Sequence, residues 1–197
     1  MFTGIITDIG TVRAIEKRGD TRITVATRYP MGEIAIGASI ACSGPCLTVV
    51  EKGNDCFAVD ASAETLARST AGSWHKGTRI NLERALKMGD ELGGHLLTGH
   101  VDTVATVTGR RREGDSVRFT FAVPEPFERA IASKGAVAIE GVSLTVNEVE
   151  GNGFGVNIIP HTQHETTLGA LQPGDRVNLE IDLIARYLAR LVGKEIA

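Results

Sequence analysis

The sequence lacks any apolar run close to the roughly 20 residues that a membrane-spanning helix needs. Its first ten residues, MFTGIITDIG, have no basic stretch and no cleavage-type site, so a signal peptide is not expected either. Clustered positive charge is also scarce. The net charge is −3, and the longest basic run, Arg110–Arg112, predicts a solvated hairpin tip. This charge balance disfavours nucleic-acid binding.

Cysteine is rare, with only Cys42, Cys46 and Cys56 in the chain. An odd count argues against a disulfide framework and suits a reducing cytoplasm, and the spacings match no zinc pattern. The chain also lacks the GxGxxG, P-loop and HExxH motifs and the Ser-His-Asp order of hydrolases. We therefore expect a cytoplasmic protein with no metal and no cofactor.

What the sequence does contain is an internal repeat. The stretch SGPCLTVV, residues 43–50, returns as EGVSLTVN, residues 140–147, and residues 37–83 align on residues 134–180 without a gap. The identical positions include Gly44/Gly141, Asn81/Asn178 and Glu83/Glu180. Two copies are too few for a solenoid, so we predict duplicated domains over 1–92 and 93–182, joined at a Gly-Gly turn.

Each half has the pattern of a β domain. TRITVAT and SVRFTFAV alternate with the two-residue period of half-buried strands. The repeated phrases predict strand–turn–strand units with glycine at the turn. Many short strands with frequent turns indicate a closed barrel or a sandwich in each half. Short helices are predicted over residues 64–70 and 125–135.

The tail, residues 183–197, is predicted to be a separate helix. Asp182 is a candidate N-cap. Two interpretations remain open for the apolar stripe, which packs either on its own barrel or against other copies of the chain. The stripe has 3.6-residue spacing and consists of Ile184, Tyr187, Leu188, Leu191 and Val192.

The repeat also carries candidate functional residues. Cys46 and Ser143 hold equivalent positions but differ in chemistry, which suggests paired pockets with different tasks; the alternative is that both only fill space. Polar residues repeated at the predicted barrel mouths suit a polyol or a heterocycle better than a lipid. These residues are Thr48/Thr145, Thr65/Thr162, Asp60/Asn157, Ser62 and Glu64/His161.

Two histidines, His95 and His100, flank the stretch LLTG just after the join between the halves. Position 100 aligns with Ile5, so His100 occurs in one half only, and it is either structural or, when neutral, a proton carrier near pH 7. From the residues alone, the sequence predicts two similar β domains with two small-molecule pockets. It does not name a substrate.

Five stretches resemble the riboflavin synthase family of the alpha-chain type: MFTGII, GASIACSGPCLTV, ELGGHLLTGHVD, KGAVAIEGVSLTV and NIIPHTQHETTLG. The resemblance covers essentially the whole chain. It implies an all-β fold of two tandem six-stranded antiparallel barrels, with a C-terminal helix that joins three chains. It also implies a four-carbon transfer between two molecules of 6,7-dimethyl-8-ribityllumazine, which gives riboflavin and 5-amino-6-ribitylamino-uracil without a cofactor.

The resemblance also implies residue roles by position. Cys46, His100 and Ser143 match catalytic positions, and Phe2 and Asp182 match sensitive ones; Pro45 departs from members with a second cysteine there. The first pocket is expected to contain Gly4, Ile5, Ile6, Leu47, Thr48, Asp60, Ala61, Ser62, Ala63, Glu64 and Thr65. The second is expected to contain Gly99, Val101, Lys134, Leu144, Thr145, Asn157, Ile158, Ile159, Pro160, His161 and Thr162.

Two alternatives to the enzyme remain at this stage. One is a non-catalytic antenna protein of the same plan that binds one lumazine or flavin; such proteins tend to lose polar groups from one pocket, whereas both halves here retain theirs. The other is an oligomeric barrel adaptor without a ligand. The resemblance leaves open an association with lumazine synthase, the enzyme that makes the substrate.

Overall fold

The computed structural model describes residues 1–194 and consists mainly of two closed antiparallel β-barrels, as the sequence predicts. The strands of the first barrel follow the order β1–β2–β5–β4–β3–β6 around its wall. Their bounds are β1 Asp8–Arg18, β2 Asp20–Ala26, β3 Ser39–Cys42, β4 Cys46–Lys52, β5 Cys56–Ala61 and β6 Arg79–Arg84.

The second barrel repeats this plan, with the strand order β10–β11–β8–β7–β12–β9. Gly44 and Gly141 lie at the turns of the two strand–turn–strand units, as expected. The bounds are β7 Thr103–Glu113, β8 Ser116–Ala122, β9 Ala136–Ile139, β10 Val142–Glu150, β11 Gly153–Ile158 and β12 Arg176–Ile181.

Each barrel is filled by the alternate apolar residues of its own strands. In β2, Ile23 and Val25 are fully buried, while the alternate residues Arg22, Thr24 and Ala26 are half-exposed. The second barrel holds three phenylalanine rings in stacked contact, Phe119, Phe121 and Phe154. Because each core is a separate apolar cluster, each half has its own hydrophobic source of stability.

The helices are short. α1 covers Ala63–Arg68 and α2 covers Pro160–Glu165, each followed by a 3-10 turn, Thr70–Ser73 or Thr167–Ala170. Further 3-10 turns cover Met31–Glu33 and Phe127–Ala130.

The helix predicted over residues 125–135 is wrong, since this segment forms only the 3-10 turn at Phe127–Ala130. Ile131 is extended and buried, and the Lys134 N–H donates to the Val146 carbonyl at 2.8 Å. Bonding to β10 thus overrides the local helical preference. The predicted hairpin tip is also displaced, because Arg110–Arg112 lie within β7 and the turn comes at Gly114.

The tail forms α3, Leu183–Leu191, and Asp182 caps it by accepting a hydrogen bond from the Ile184 N–H at 2.8 Å. Residues 195–197 of the predicted tail helix lie outside the described residues. The apolar stripe is exposed on this chain, with 76% exposure at Ile184 and 83% at Leu191, so it does not pack on its own barrel. None of the helices within residues 1–194 is long and apolar enough to cross a membrane.

Candidate functional site

Two segments cross between the barrels, and they position the candidate site residues. The segment at residues 2–5 and the segment at residues 97–100 run antiparallel, with Phe2 and Leu97 exchanging backbone hydrogen bonds at 2.9 and 3.0 Å. Phe2 and Leu97 are buried between the barrels with Ala41 and Ala138. The two halves are therefore tied together through their first residues.

Each crossing segment ends on the other barrel. The Ser143 N–H donates to the Gly4 carbonyl at 2.9 Å, and the Cys46 N–H donates to the Gly99 carbonyl at 2.8 Å. Gly4 and Gly99 have positive φ, and a Cβ atom on either would lie within 2.6 Å of its partner's side chain. Glycine is thus required at both positions for this close approach.

A buried glutamate anchors each crossing segment. Glu83 accepts hydrogen bonds from the Thr3 and Gly4 N–H groups and from the Thr3 hydroxyl, at 2.7–2.9 Å. Glu180 makes the same three bonds to Thr98 and Gly99. Burial raises the pKa of both carboxyls above its ordinary value, and the hydrogen bonds oppose that rise.

Two asparagines join the barrels reciprocally. The side-chain N–H of Asn81 donates to the Glu140 carbonyl at 2.9 Å, and that of Asn178 donates to the Ser43 carbonyl at 2.8 Å. Sequence reasoning did not assign a role to these asparagines or to the two anchoring glutamates. Their identity in both copies of the repeat was the available signal.

The crossing corrects the expected composition of the two pockets. Gly4, Ile5 and Ile6 were assigned to the first pocket, but Gly4 contacts Ser143 and Ile6 packs on the core of the second barrel. Gly99, His100 and Val101 were assigned to the second pocket, but they line a cavity with Cys46 of the first barrel. In the structure, Gly4 lies against Ser143 of the second barrel and Gly99 against Cys46 of the first, while Ile5 lines a cavity with Tyr29 and Glu83 of the first barrel.

This cavity, which we call the first pocket, has a volume of about 430 Å³. It joins seven of the predicted site residues with neighbours from α3 and from the 3-10 turn at Phe127. Its walls carry one thiol, several hydroxyls, an imidazole and charged groups of both signs. The lining residues are Pro45, Cys46, Ser62, Glu64, Thr65, Arg68, Ser69, Gly99, His100, Val101, Asp102, Phe127 and Arg186.

Some polar residues of the first pocket already have partners. Ser62 caps α1 by accepting from the Thr65 N–H at 3.2 Å, and its hydroxyl lies 3.1 Å from the Thr65 hydroxyl. Glu64 pairs with Arg68 one turn later. Asp60, on the outer end of β5, is held by Arg22, whose guanidinium lowers the pKa of that carboxyl.

His100 lies beside an ion pair that links the first pocket to α3. Asp102, whose side chain is 4% exposed, lies 2.7 Å from the Arg186 guanidinium and accepts from the Ile181 N–H. Burial raises the pKa of the Asp102 carboxyl, and the charges of Arg186 and His100 oppose this. The C-terminal helix therefore contributes a charged side chain to the pocket wall.

The predicted polar residues of the second barrel lie at or near its surface, and together with Ser143 we call them the second pocket. Lys134, Thr145, Asn157 and His161 are exposed there, and Thr162 is half-buried. Ile159 and Pro160 are exposed at the start of α2. In the first barrel, Ala63 on α1 and Thr48 on β4 are exposed as well.

Four predicted contact residues have side chains directed into the cores. Leu47 and Ala61 belong to the core of the first barrel, Ile158 belongs to that of the second, and Leu144 packs against it. Leu47, Ala61 and Ile158 are buried, so their side chains are not accessible to a ligand, whereas Leu144 is half-buried.

Ser143 has a side-chain partner that sequence reasoning did not single out for the site. Its hydroxyl lies 2.6 Å from Nδ1 of His95, the first histidine of the LLTG stretch. The preceding residue, Gly94, makes room for this contact, since a Cβ there would lie 2.8 Å from that of Ser143. Burial lowers the pKa of the His95 imidazole, and the charge of Asp182 partly offsets that effect.

The arrangement defines a protein of two similar β-barrels, with a polar cavity at the first barrel and an equivalent set of polar residues on the second. We compared the sequence with known protein families to identify this class of protein. The family described as "Lumazine binding domain" matches the chain twice, at residues 3–85 and 98–182.

The chain belongs to the riboflavin synthase family. It is 52% identical to the riboflavin synthase of Brucella abortus over 197 residues, covering 97% of this chain and 98% of that protein. It is 41% identical to that of Photobacterium phosphoreum and 38% identical to that of Saccharomyces cerevisiae, covering 98% of this chain and 89% and 86% of those proteins. The resemblance stated from sequence motifs is confirmed.

Solved structures of LumP share the fold. LumP complexed with riboflavin superposes with a TM-score of 0.83 at 28% identity, covering 92% of this chain and 99% of that chain. LumP complexed with 6,7-dimethyl-8-(1'-D-ribityl) lumazine gives 0.81 at 26% identity over the same shares of both chains. The enzyme relatives are the more similar in sequence.

Proposed function

We propose that this chain is a riboflavin synthase that converts two molecules of 6,7-dimethyl-8-ribityllumazine into riboflavin and 5-amino-6-ribitylamino-uracil. The observation that carries the proposal is the pair of barrels built on one plan, with equivalent polar residues on each. Each has a crossing segment and a reactive side chain, Cys46 or Ser143, held by that segment. A reaction between two copies of one molecule needs two related sites.

Holding two lumazines face to face supplies much of the catalysis without a specialised group. Correct orientation of two reactants is worth roughly 7–11 kcal/mol of the barrier. The acid–base demands are mild, because the anion formed at the 7-methyl group delocalises into the heterocycle. A thiol, hydroxyl or imidazole then suffices to move protons, and Cys46, Ser143 and His100 are the groups we assign to this task.

The antenna alternative has one observation in its favour, the structural similarity to LumP. It is weaker than the enzyme proposal on two grounds. Riboflavin synthase relatives reach 52% identity, against 26–28% for the LumP structures. Both pockets also retain reactive polar side chains, whereas a protein that only holds one chromophore needs one pocket.

We further propose the assembly and location of the enzyme. The exposed stripe of α3 supports a homotrimer, since an apolar helix face gains stability when copies cover it. Three free cysteines, one of them in the first pocket, suit a reducing cytoplasm. Domain limits of 1–92, 93–182 and 183–197 fit these roles, and an association with lumazine synthase remains a proposal to test by co-sedimentation.

The test is direct. The purified protein, incubated with dimethylribityllumazine and no added cofactor, is expected to form riboflavin and the uracil product in equal amounts. Absorbance follows riboflavin, and chromatography follows both products. Tight binding of lumazine without turnover would instead establish the antenna function, and no binding at all would exclude both.

A further inference from the structure

His95 forms a hydroxyl–imidazole pair with Ser143 that the assigned site does not include. The 2.6 Å separation of Nδ1 and Oγ is short for a neutral hydrogen bond. The backbone on both sides is fitted to this contact. The Ser143 N–H is held by Gly4, and a Cβ at Gly94 would lie 2.0 Å from the Thr3 carbonyl oxygen.

The other ring nitrogen of His95 argues against a purely structural role. Nε2 is buried and has no hydrogen-bond partner within residues 1–194. A histidine that serves only packing normally has both nitrogens satisfied or is replaced by an apolar residue. Here the single polar contact of the ring is the one with the reactive hydroxyl.

The pair also distinguishes the two pockets. Cys46 holds the position in the first barrel that Ser143 holds in the second, but no imidazole bonds to its sulfur among the described residues. Two identical substrates must play unequal parts in the reaction, and unequal pockets suit that requirement.

We propose that His95 is the proton acceptor of Ser143, so that Ser143 removes a proton from the lumazine bound in the second pocket. In this step a C–H bond of the 7-methyl group breaks and its proton goes to Oγ of Ser143. The Ser143 O–H bond breaks in turn, its proton goes to Nδ1 of His95, and the electron pair stays on the lumazine ring. The inference rests on the proposed function, which places Ser143 in the second pocket.

Burial supports the state that this step needs. A neutral imidazole accepts a proton and an imidazolium does not. Because burial holds the His95 pKa below the ordinary histidine value of 6.5, the ring is neutral at pH 7. Asp182, whose charge acts on His95, then favours the imidazolium formed during the step.

The test compares His95→Asn, Ser143→Ala and the double variant in the full-length protein. Asparagine keeps a polar atom near the position of Nδ1 but cannot take up a proton. We expect kcat to fall roughly 10²-fold in His95→Asn, with KM nearly unchanged, and the acid limb of the kcat–pH profile to disappear. Because His95 acts through Ser143, the double variant is expected to be no slower than Ser143→Ala.

The matched control is His75→Asn, since His75 forms a similar contact with the Thr78 hydroxyl on the exposed surface of the first barrel. It is expected to keep the wild-type rate and pH profile. His95→Gln carries the same expectation as His95→Asn and replaces it if the asparagine variant does not fold.

Two results separate failure of this inference from failure of the proposed site. The role of His95 would be overturned if Ser143→Ala is slow while His95→Asn keeps the wild-type kcat and pH profile. It would also be overturned if the two losses multiply in the double variant. A Ser143→Ala of full activity would instead show that Ser143 does not serve the second pocket, and the inference would fall with it.

Discussion

Cys46 and Ser143 show how one position in a repeat acquires two chemistries. The backbone of each is fixed by the carbonyl of a crossing glycine, so both side chains leave the strand in the same way. Their neighbours differ, since Cys46 lies with His100 in the first pocket and Ser143 contacts His95. The chemical difference between the two positions therefore lies in single side chains.

Cys46→Ala is expected to slow riboflavin formation strongly while leaving lumazine binding near normal. The substitution removes a hydrogen-bond donor or nucleophile without closing the pocket. Steady-state rates and a fluorescence titration with lumazine measure the two effects. Cys56→Ala, on β5 and outside the pocket lining, is the control and is expected to retain activity. Unchanged turnover in Cys46→Ala would reduce Cys46 to a packing residue.

Glu140 makes the stability of the fold depend on pH. It holds the position of Ser43 in the repeat, is 8% exposed, and accepts from the Asn178 N–H at 2.6 Å. Burial raises the pKa of its carboxyl from 4.5 to about 7, so the folded state binds this proton more tightly than the unfolded state. The stabilisation is complete below pH 4.5 and is lost as pH rises towards 7.

Glu140→Gln is expected to flatten this part of the stability curve, because an amide mimics the protonated carboxyl. Between pH 5 and pH 7 the free energy of unfolding of the wild type should fall, relative to the variant, by about 1.4 kcal/mol per pH unit at most. Urea unfolding at several pH values measures this difference. Glu150→Gln, at the exposed end of β10, is the control. Parallel curves for wild type and Glu140→Gln would contradict the assignment.

At the scale of elements, α3 has an apolar face exposed to solvent and a charged side chain that forms an ion pair. Its apolar stripe points to solvent on this chain, while Arg186 reaches Asp102 at the first pocket. Deleting the helix would therefore remove the proposed assembly surface and a pocket residue together. Substitutions on the stripe separate the two functions.

Leu188→Glu combined with Leu191→Glu is expected to convert the proposed trimer to folded monomers. Burying each leucine contributes roughly 1.5–3 kcal/mol to assembly, and a buried carboxylate would oppose it. Light scattering gives the mass, and circular dichroism checks the fold. Lys194→Glu, which changes the net charge by the same amount just beyond the helix, should leave the mass unchanged. A trimer that survives the double substitution would show that the barrels alone hold it together.

For the molecule as a whole, two closed barrels with separate cores are interlocked by the crossing segments. The fragment 1–92 contains a complete barrel and core, so it is expected to fold alone. It lacks Gly99, His100 and Val101 of its own pocket, however.

We therefore expect the monomeric fragment to bind lumazine weakly and to bind better as a dimer, in which the segment at residues 2–5 of each copy covers Cys46 of the other. Sedimentation and titration at several protein concentrations measure this. Loss of the β-sheet signal in circular dichroism would show that the halves form one folding unit.

The proposed trimer allows a reaction site to lie between chains. Cys46→Trp and Ser143→Trp each fill one pocket with an indole, so each variant alone is expected to be inactive. Unfolding them together and refolding them as mixed trimers should restore part of the activity, because an open first pocket of one chain then meets an open second pocket of another. Mixed trimers of verified composition without activity would place both pockets of a site on one chain, provided that each variant folds.

The sequence by itself determined the duplication, the two β domains and the terminal helix, and its motifs indicated the family whose fold has two barrels. Period-two alternation reports burial directly, and the identical residues of the repeat, such as Glu83 and Glu180, mark positions under the same physical constraint. The α3 cap at Asp182 was also predictable, since capping depends only on neighbours along the chain.

Only the tertiary structure decided which segments share a pocket. Gly4 meets Ser143 and Gly99 meets Cys46 because the crossing segments exchange between barrels, and no local pattern records that exchange. The same applies to the pairing of His95 with Ser143 and to the extended backbone at Ile131, where bonding to β10 replaced a helix. Contacts between residues distant along the chain depend on how two closed barrels dock, which local periodicity does not encode.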